Sequence, residues 1–234
     1  MSYKPRPIFP VGKKKRDPRV PHDLASLPLC TTLVALRKSG KSALVCGLIE
    51  DVYAKLHDRV IIMSDTVEYD ASVKVLAETT KHKNIYFTDE VSNASIAKIV
   101  EEQKKMPEKS LLLFIDDAGD SAQSKELNKE LSKLYTKGRH FNIGNIVAIQ
   151  SVTGQLSRKM KNCTTEWVVF KNNAEDMKLL AKLLASAYKD DKEVLTFLTE
   201  CTKEPYSFAY INRDASDAKG MYRYCDSSGF HDYF

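Results

Sequence analysis

Residues 35–42 read Ala-Leu-Arg-Lys-Ser-Gly-Lys-Ser. They match the phosphate-binding loop pattern Gly-x-x-x-x-Gly-Lys-[Ser/Thr], with Ala35 in place of the first glycine. Each retained residue has a physical task. Gly40 lets the backbone approach a phosphate with no Cβ in the way. Successive backbone N–H groups, followed by a helix N-terminus, attract the phosphate charge. The cradle is therefore assigned to Arg37, Lys38, Ser39, Gly40, Lys41, Ser42 and Ala43. Lys41 is the point charge for the β- and γ-phosphates of a nucleoside triphosphate such as ATP. The Ser42 hydroxyl is a ligand for Mg2+. The Gly-Lys-Ser string is short; its weight comes from lying between a predicted strand and a predicted helix.

A second group of residues complements the first. Leu111–Ile115 is an apolar run that ends in Asp116-Asp117. An acid at the end of such a strand orders the Mg2+ shell, and this role is assigned to Asp116, with Ser42 as the other metal ligand. Asp117 is placed to polarise a water for attack on the γ-phosphate, or else to cap the following helix. Gln150 ends another apolar run, where a neutral amide can hydrogen-bond both the γ-phosphate and the attacking water. Arg139, in Lys137-Gly138-Arg139-His140-Phe141, is either an arginine finger reaching a neighbouring subunit or a surface arginine at a helix end. His140 reads as structural, because no partner pattern for a metal or a nucleophile surrounds it.

These residues need a scaffold that brings them to one edge. Thr31–Leu36, Arg59–Ser64, Asn84–Thr88, Ser110–Ile115, Asn145–Ile149 and Glu166–Phe170 read as strands, with Tyr206–Ile211 as a last one. Helices are expected over Ala43–Lys55, Ala94–Lys104, Met177–Leu184 and Val194–Leu198. Another carries Leu127, Leu131, Leu134 and Tyr135 on one face. Strands that are apolar throughout and alternate with helices indicate an α/β fold with a mostly parallel sheet covered on both faces. In such sheets ligands bind beyond the carboxyl ends of the strands, where Lys41, Asp116 and Gln150 all fall.

Outside this core the composition changes. Residues 1–30 hold six of the eight prolines and the run Lys13-Lys14-Lys15-Arg16, and read as an extended arm, tied down near Ile8–Val11. The basic run is a solvated tail, a phosphate contact or a nuclear-import signal. The ATPase domain is expected over 31–213, and 214–234 is expected to be a polar, aromatic tail. After Gln150, Thr153-Gly154-Gln155 with Arg158, Lys159 and Lys161 reads as a flexible cationic loop able to touch a DNA backbone, or as an ordinary solvated loop.

Bulk properties exclude several classes. A chain of 234 residues with 43% hydrophobic and 29% charged residues is globular rather than disordered. No apolar run is long enough for a membrane span, and the N-terminus lacks a secretory h-region. Five scattered cysteines without metal spacing suit a reducing compartment. The formal net charge of +5 is compatible with a polyanionic partner.

Taken in order, the loop at 35–42, the strand ending in Asp116-Asp117, Gly138-Arg139-His140 and the strand ending in Gln150 resemble the FtsK–HerA superfamily. Within it the pattern is most similar to the poxvirus-type genome-packaging ATPases of large DNA viruses and virophages. The resemblance covers roughly Leu33 to Lys171. It implies a RecA-like (ASCE) P-loop NTPase core with an extra strand between the P-loop strand and the Walker B strand. It also implies a ring of identical subunits (pentamer or hexamer) with ATP and Mg2+ at the subunit boundaries. Double-stranded DNA would lie in the channel and a capsid portal or vertex would be the docking partner. The implied setting is the infected-cell cytoplasm, nucleus or virion. This sequence departs at Ala35, where the family has glycine, and at Asp117, where glutamate is common. Two other readings stay open. A small-molecule P-loop kinase would need a lid with several arginines, and the region after Asp120 is Lys/Glu/Ser-rich instead. A nucleotide-binding scaffold without turnover has Ala35 as its only support.

Overall fold

The computed structural model describes residues 17–116, 124–154, 156–186 and 189–234. Nine strands form one sheet: β1 (Cys30–Val34), β2 (Arg59–Met63), β3 (Ile85–Thr88), β4 (Leu111–Ile115), β5 (Ile143–Ile149), β6 (Glu166–Phe170), β7 (Phe208–Asn212), β8 (Tyr222–Asp226) and β9 (Gly229–Asp232). Their spatial order is β3-β2-β4-β5-β1-β6-β7-β8-β9. The strands from β1 to β6 pair in parallel, and the last three add on antiparallel. The strand β5 lies between the P-loop strand β1 and the strand β4 that leads to Asp116, the insertion that the resemblance implied.

The period of two along each strand divides the core cleanly. In β4, Leu111, Leu113 and Ile115 belong to one apolar cluster, and Leu112 and Phe114 to the other. In β6, Trp167 and Val169 face the first cluster, while Val168 and Phe170 face the second. The first layer is closed by α4 (Asn93–Lys104), α5 (Ser124–Lys137), α7 (Ala174–Leu184) and α8 (Asp191–Cys201), through residues such as Ile96, Leu134, Leu180 and Phe197. The second is closed by α1 (Lys41–Leu48) and α3 (Ala71–Thr79), through Val45, Val73 and Leu76. Side chains fix where several helices start. Asp70 caps α3, Asn173 caps α7, and Ser92 and Asp190 build capping boxes on α4 and α8, each worth about 1 kcal/mol.

Several expectations change. The helix expected over Ala43–Lys55 starts earlier, at Lys41. It widens into a π-turn at Ile49–Tyr53 and ends in a short α2 (Ala54–Leu56). Residues 1–16 and the proposed tie at Ile8–Val11 lie outside the described residues. Within 17–29 the chain is packed rather than extended into solvent: Val20, Leu24, Ala25 and Leu29 are buried in the second cluster or beside it. Residues 214–234, read as a tail, hold α9 (Ala218–Met221), β8 and β9. Tyr222 is fully buried, and Tyr233 and Phe234 pack around Phe197. The segment after Gln150 is no loose loop beyond residue 155. Ser157 caps α6 (Arg158–Cys163), and Leu156 and Met160 are buried beneath it. Gln155 lies outside the described residues. Among the described residues, no helix is long and apolar enough to cross a membrane.

Candidate functional site

The pairing of β1 with β5 continues one residue past the strand end, where the Ala35 N–H donates to the Ile149 carbonyl at 3.0 Å. Ala35 is fully buried, and the non-glycine residues with positive φ among those described are Lys38, Asn142 and Tyr206. Ala35 thus keeps an ordinary L-residue backbone, and glycine's freedom is not needed at this position. The loop turns later. Lys38 has φ 65° and Gly40 has φ 95°, so the backbone enters the left-handed region twice before α1 begins. Glycine suits the second of these turns for a further reason. A Cβ on Gly40 would lie 2.9 Å from Cδ1 of Tyr206.

The N-terminus of α1 is prepared for an anion. Among the described residues no side chain caps it at Gly40, and its first turn carries no acidic residue, so the helix dipole there favours an anion. The Ser39 hydroxyl just before it is buried and has no hydrogen-bond partner among the described residues. A buried, unmatched donor beside a cradle of amides fits a phosphate oxygen.

The Lys41 ammonium contacts the Asp116 carboxylate, with side chains 11% and 4% exposed. Asp116 leaves the end of β4, where its N–H donates to the Met63 carbonyl at 2.8 Å. Gln150 follows β5 at the same edge, and its backbone carbonyl accepts from the Asn172 side-chain amide at 2.9 Å. Lys41, Ser42, Asp116 and Gln150 therefore share the carboxyl edge of the parallel strands. Burial, with the charges of Asp70 and Asp116 behind it, pushes the nearby Cys46 thiol up to about 12, so it stays protonated and inert.

Asp117 lies outside the described residues. Arg139 and His140 are exposed on a 3-10 turn, Gly138–Phe141, that enters β5. That is the amino end of the strand whose carboxyl end carries Gln150. The seven residues of β5 at ~3.3 Å each separate the two ends by roughly 20 Å. Within this chain Arg139 does not join Lys41 and Asp116.

The sequence reading missed Asn172 and Tyr206. Asn172 and Asn173 lie two and three residues past the end of β6, so the rule that chemistry sits just beyond strand ends would have found them. Tyr206 had a weaker signal, an aromatic after Pro205 in the turn before β7. Near it opens a cleft of about 480 Å³ between the P-loop, the end of β6 and the 203–207 turn.

Comparison with known proteins agrees with this architecture. The family model of the Poxvirus A32 protein matches residues 22–229, reaching from the packed N-terminal segment into β9. The fold is similar to the genome packaging NTPase B204 from Sulfolobus turreted icosahedral virus 2 in complex with AMPPCP. The TM-score is 0.56 at 17% identity, over 80% of this chain and 94% of that one. It is also similar to B204, the DNA-packaging ATPase from Sulfolobus Turreted Icosahedral Virus (TM-score 0.56, 17% identity, 84% and 96% covered). Thermomonospora curvata EccC (ATPases 2 and 3) in complex with a signal sequence peptide shares the fold too (TM-score 0.52, 17% identity, 86% and 35% covered). No curated protein sequence is detectably similar to the chain.

Proposed function

Because the chain belongs to the Poxvirus A32 protein family, we propose that it is a P-loop ATPase that drives double-stranded DNA into a viral capsid. One observation carries the reading: the Lys41 ammonium rests against the Asp116 carboxylate at the carboxyl edge of one sheet, beside the uncapped start of α1. The amides of residues 37–43 bind the phosphates of ATP. Lys41 turns from Asp116 to the β- and γ-phosphates, which leaves the Asp116 carboxylate to face a cation. A serine hydroxyl and a carboxylate are hard oxygen donors, the set Mg2+ accepts while keeping phosphate oxygens and waters as its other ligands. Ser42 and Asp116 would hold the ion, which neutralises charge on the phosphates when bound. Gln150 orients the attacking water against the γ-phosphate, and Asp117 accepts its proton. Arg139, on the far edge of its own subunit, serves the site of the next subunit in a ring.

DNA enters the reading through charge and through kinship. The net charge is +5, and Arg158 and Lys159 are exposed on α6. Contacts of this kind are sequence-independent and weaken with salt. The two B204 structures are described as a genome packaging NTPase and a DNA-packaging ATPase, and the same task is extended here to this chain. A capsid vertex is the docking partner, and the interior of an infected cell the setting. The five free cysteines suit that reducing environment.

Hydrolysis by the purified protein is the test. The ATPase rate rises with double-stranded DNA and is lost in Lys41→Ala. Equal rates with and without DNA, across salt and oligomer conditions, refute the motor. Phosphate transfer to a nucleoside or nucleotide instead identifies a kinase.

A further inference from the structure

The phosphate anchor has a direction. Its charged pair, Lys41 and Asp116, lies toward β4, which is reached from β1 across β5. The terminal phosphate therefore points to that side. The opposite neighbour of β1 is β6, followed by β7. On that flank lies the cleft of about 480 Å³. One wall is the P-loop at Leu36 and Ser39, another the chain after β6 at Asn173, and the last the turn 203–207 that leads into β7.

Tyr206 stands at the junction of cleft and loop. The residue is 73% exposed, which is unusual for a large aromatic, yet its backbone is held at φ 65°. A tyrosine adopts that conformation only against steric resistance. The turn is fixed by the Ser207 N–H and hydroxyl, which donate to the Glu204 carbonyl at 3.3 and 2.7 Å. The ring edge lies against Gly40, at the distance a Cβ would block. An aromatic is thus presented to solvent beside the phosphate cradle, on the flank to which the rest of a bound nucleotide must run.

We propose that Tyr206 is the stacking platform for the nucleobase, with the ribose crossing the cleft between it and the P-loop. This rests on the phosphate-site reading above and extends it to the other end of the nucleotide. Stacking of a base on an aromatic face tolerates any base, and its loss costs roughly tenfold or more in affinity.

Calorimetric titration of the full chain with Mg–ATP and with Mg–tripolyphosphate tests the assignment. Tripolyphosphate carries the charges of ATP without a base. Tyr206→Ala weakens ATP about tenfold and leaves tripolyphosphate unchanged, while Tyr206→Phe binds both as the native chain does. Tyr206→Trp adds a reporter whose emission is quenched by ATP and not by tripolyphosphate. If Tyr206→Ala weakens both ligands equally, or neither, the platform is wrong and the phosphate site stands. If Lys41→Ala leaves the binding of both ligands intact, the phosphate site itself is wrong and the platform falls with it.

Discussion

Glu166 offers a quantitative test of how the N-terminal segment is held. The residue is 2% exposed at the start of β6. One carboxylate oxygen accepts from the Ala25 N–H at 2.8 Å and from the Tyr210 hydroxyl, and the other accepts from the Thr31 hydroxyl at 2.6 Å. Three donors from three separate stretches of chain therefore converge on one group. Glu166→Ala strands them. Thr31 can rotate its hydroxyl, but the Ala25 N–H and the Tyr210 hydroxyl are buried, at about 1–3 kcal/mol for each unsatisfied group. With the vacated volume the loss is about 3–5 kcal/mol. Glu166→Gln behaves differently. Its carbonyl oxygen still accepts from Ala25 and Tyr210, and its NH2 can donate to a rotated Thr31 hydroxyl. The weaker neutral bonds are offset by no longer burying a charge, so stability stays within about 1 kcal/mol of the native chain. Urea unfolding of both variants, with hydrogen exchange at the Ala25 amide, measures this. Equal damage from Gln and Ala, or a loss below about 1 kcal/mol for Ala, refutes the argument that unmatched donors set the cost.

Four further outcomes are expected. Gly40→Ala places an alanine at φ 95° and a methyl 2.9 Å from the Tyr206 ring; ATP binding is lost, and removing the ring as well restores only part of it, as titration of both variants shows. Burial pushes the thiols of Cys30, Cys46 and Cys201 up to about 12. At pH 8 they react with a disulfide reagent slowly in the native protein and rapidly in guanidinium. Conversely, their raised pKa values contribute stability below the unfolded thiol range, and it is lost progressively as pH climbs from about 8.5 toward 12. Mixing inactive Lys41→Ala with inactive Arg139→Ala restores ATPase activity, because one subunit's P-loop then meets another's arginine; no recovery in stable mixed oligomers sinks the assignment of Arg139 to a neighbouring site.

The legible parts of this chain are those where local chemistry and burial agree. Leu111–Ile115 is apolar on both faces and ends in acids, so it reads as a buried strand with a site at its end, and the structure places Asp116 beside Lys41. The C-terminal hairpin was illegible for the opposite reason. Its strands are short, half-buried and built from Tyr, Arg, Cys and His, with no aliphatic alternation to set a period. Its one local signal was the Asp226-Ser227-Ser228-Gly229 turn. The segment 17–29 was misread because its prolines argue correctly against regular structure, while Val20, Leu24 and Leu29 argue for burial. The sequence put Tyr206 at the start of a last strand, but it sits in the turn before β7, which begins at Phe208. Its meeting with Gly40 depends on β7 lying beside β6, a long-range pairing that no local pattern encodes.

The strand β5 is buried along all seven residues, and it pairs with β4 over Ile143–Val147 and with β1 over Asn145–Ile149. Such an element can neither stretch nor buckle without breaking two ladders, so it behaves as a push rod. At one tip is Gln150 and at the other the turn holding Arg139. Gln150 and the turn holding Arg139 are thus the two ends of one stiff element, and neither can shift along the strand axis without straining the ladders to β1 and β4.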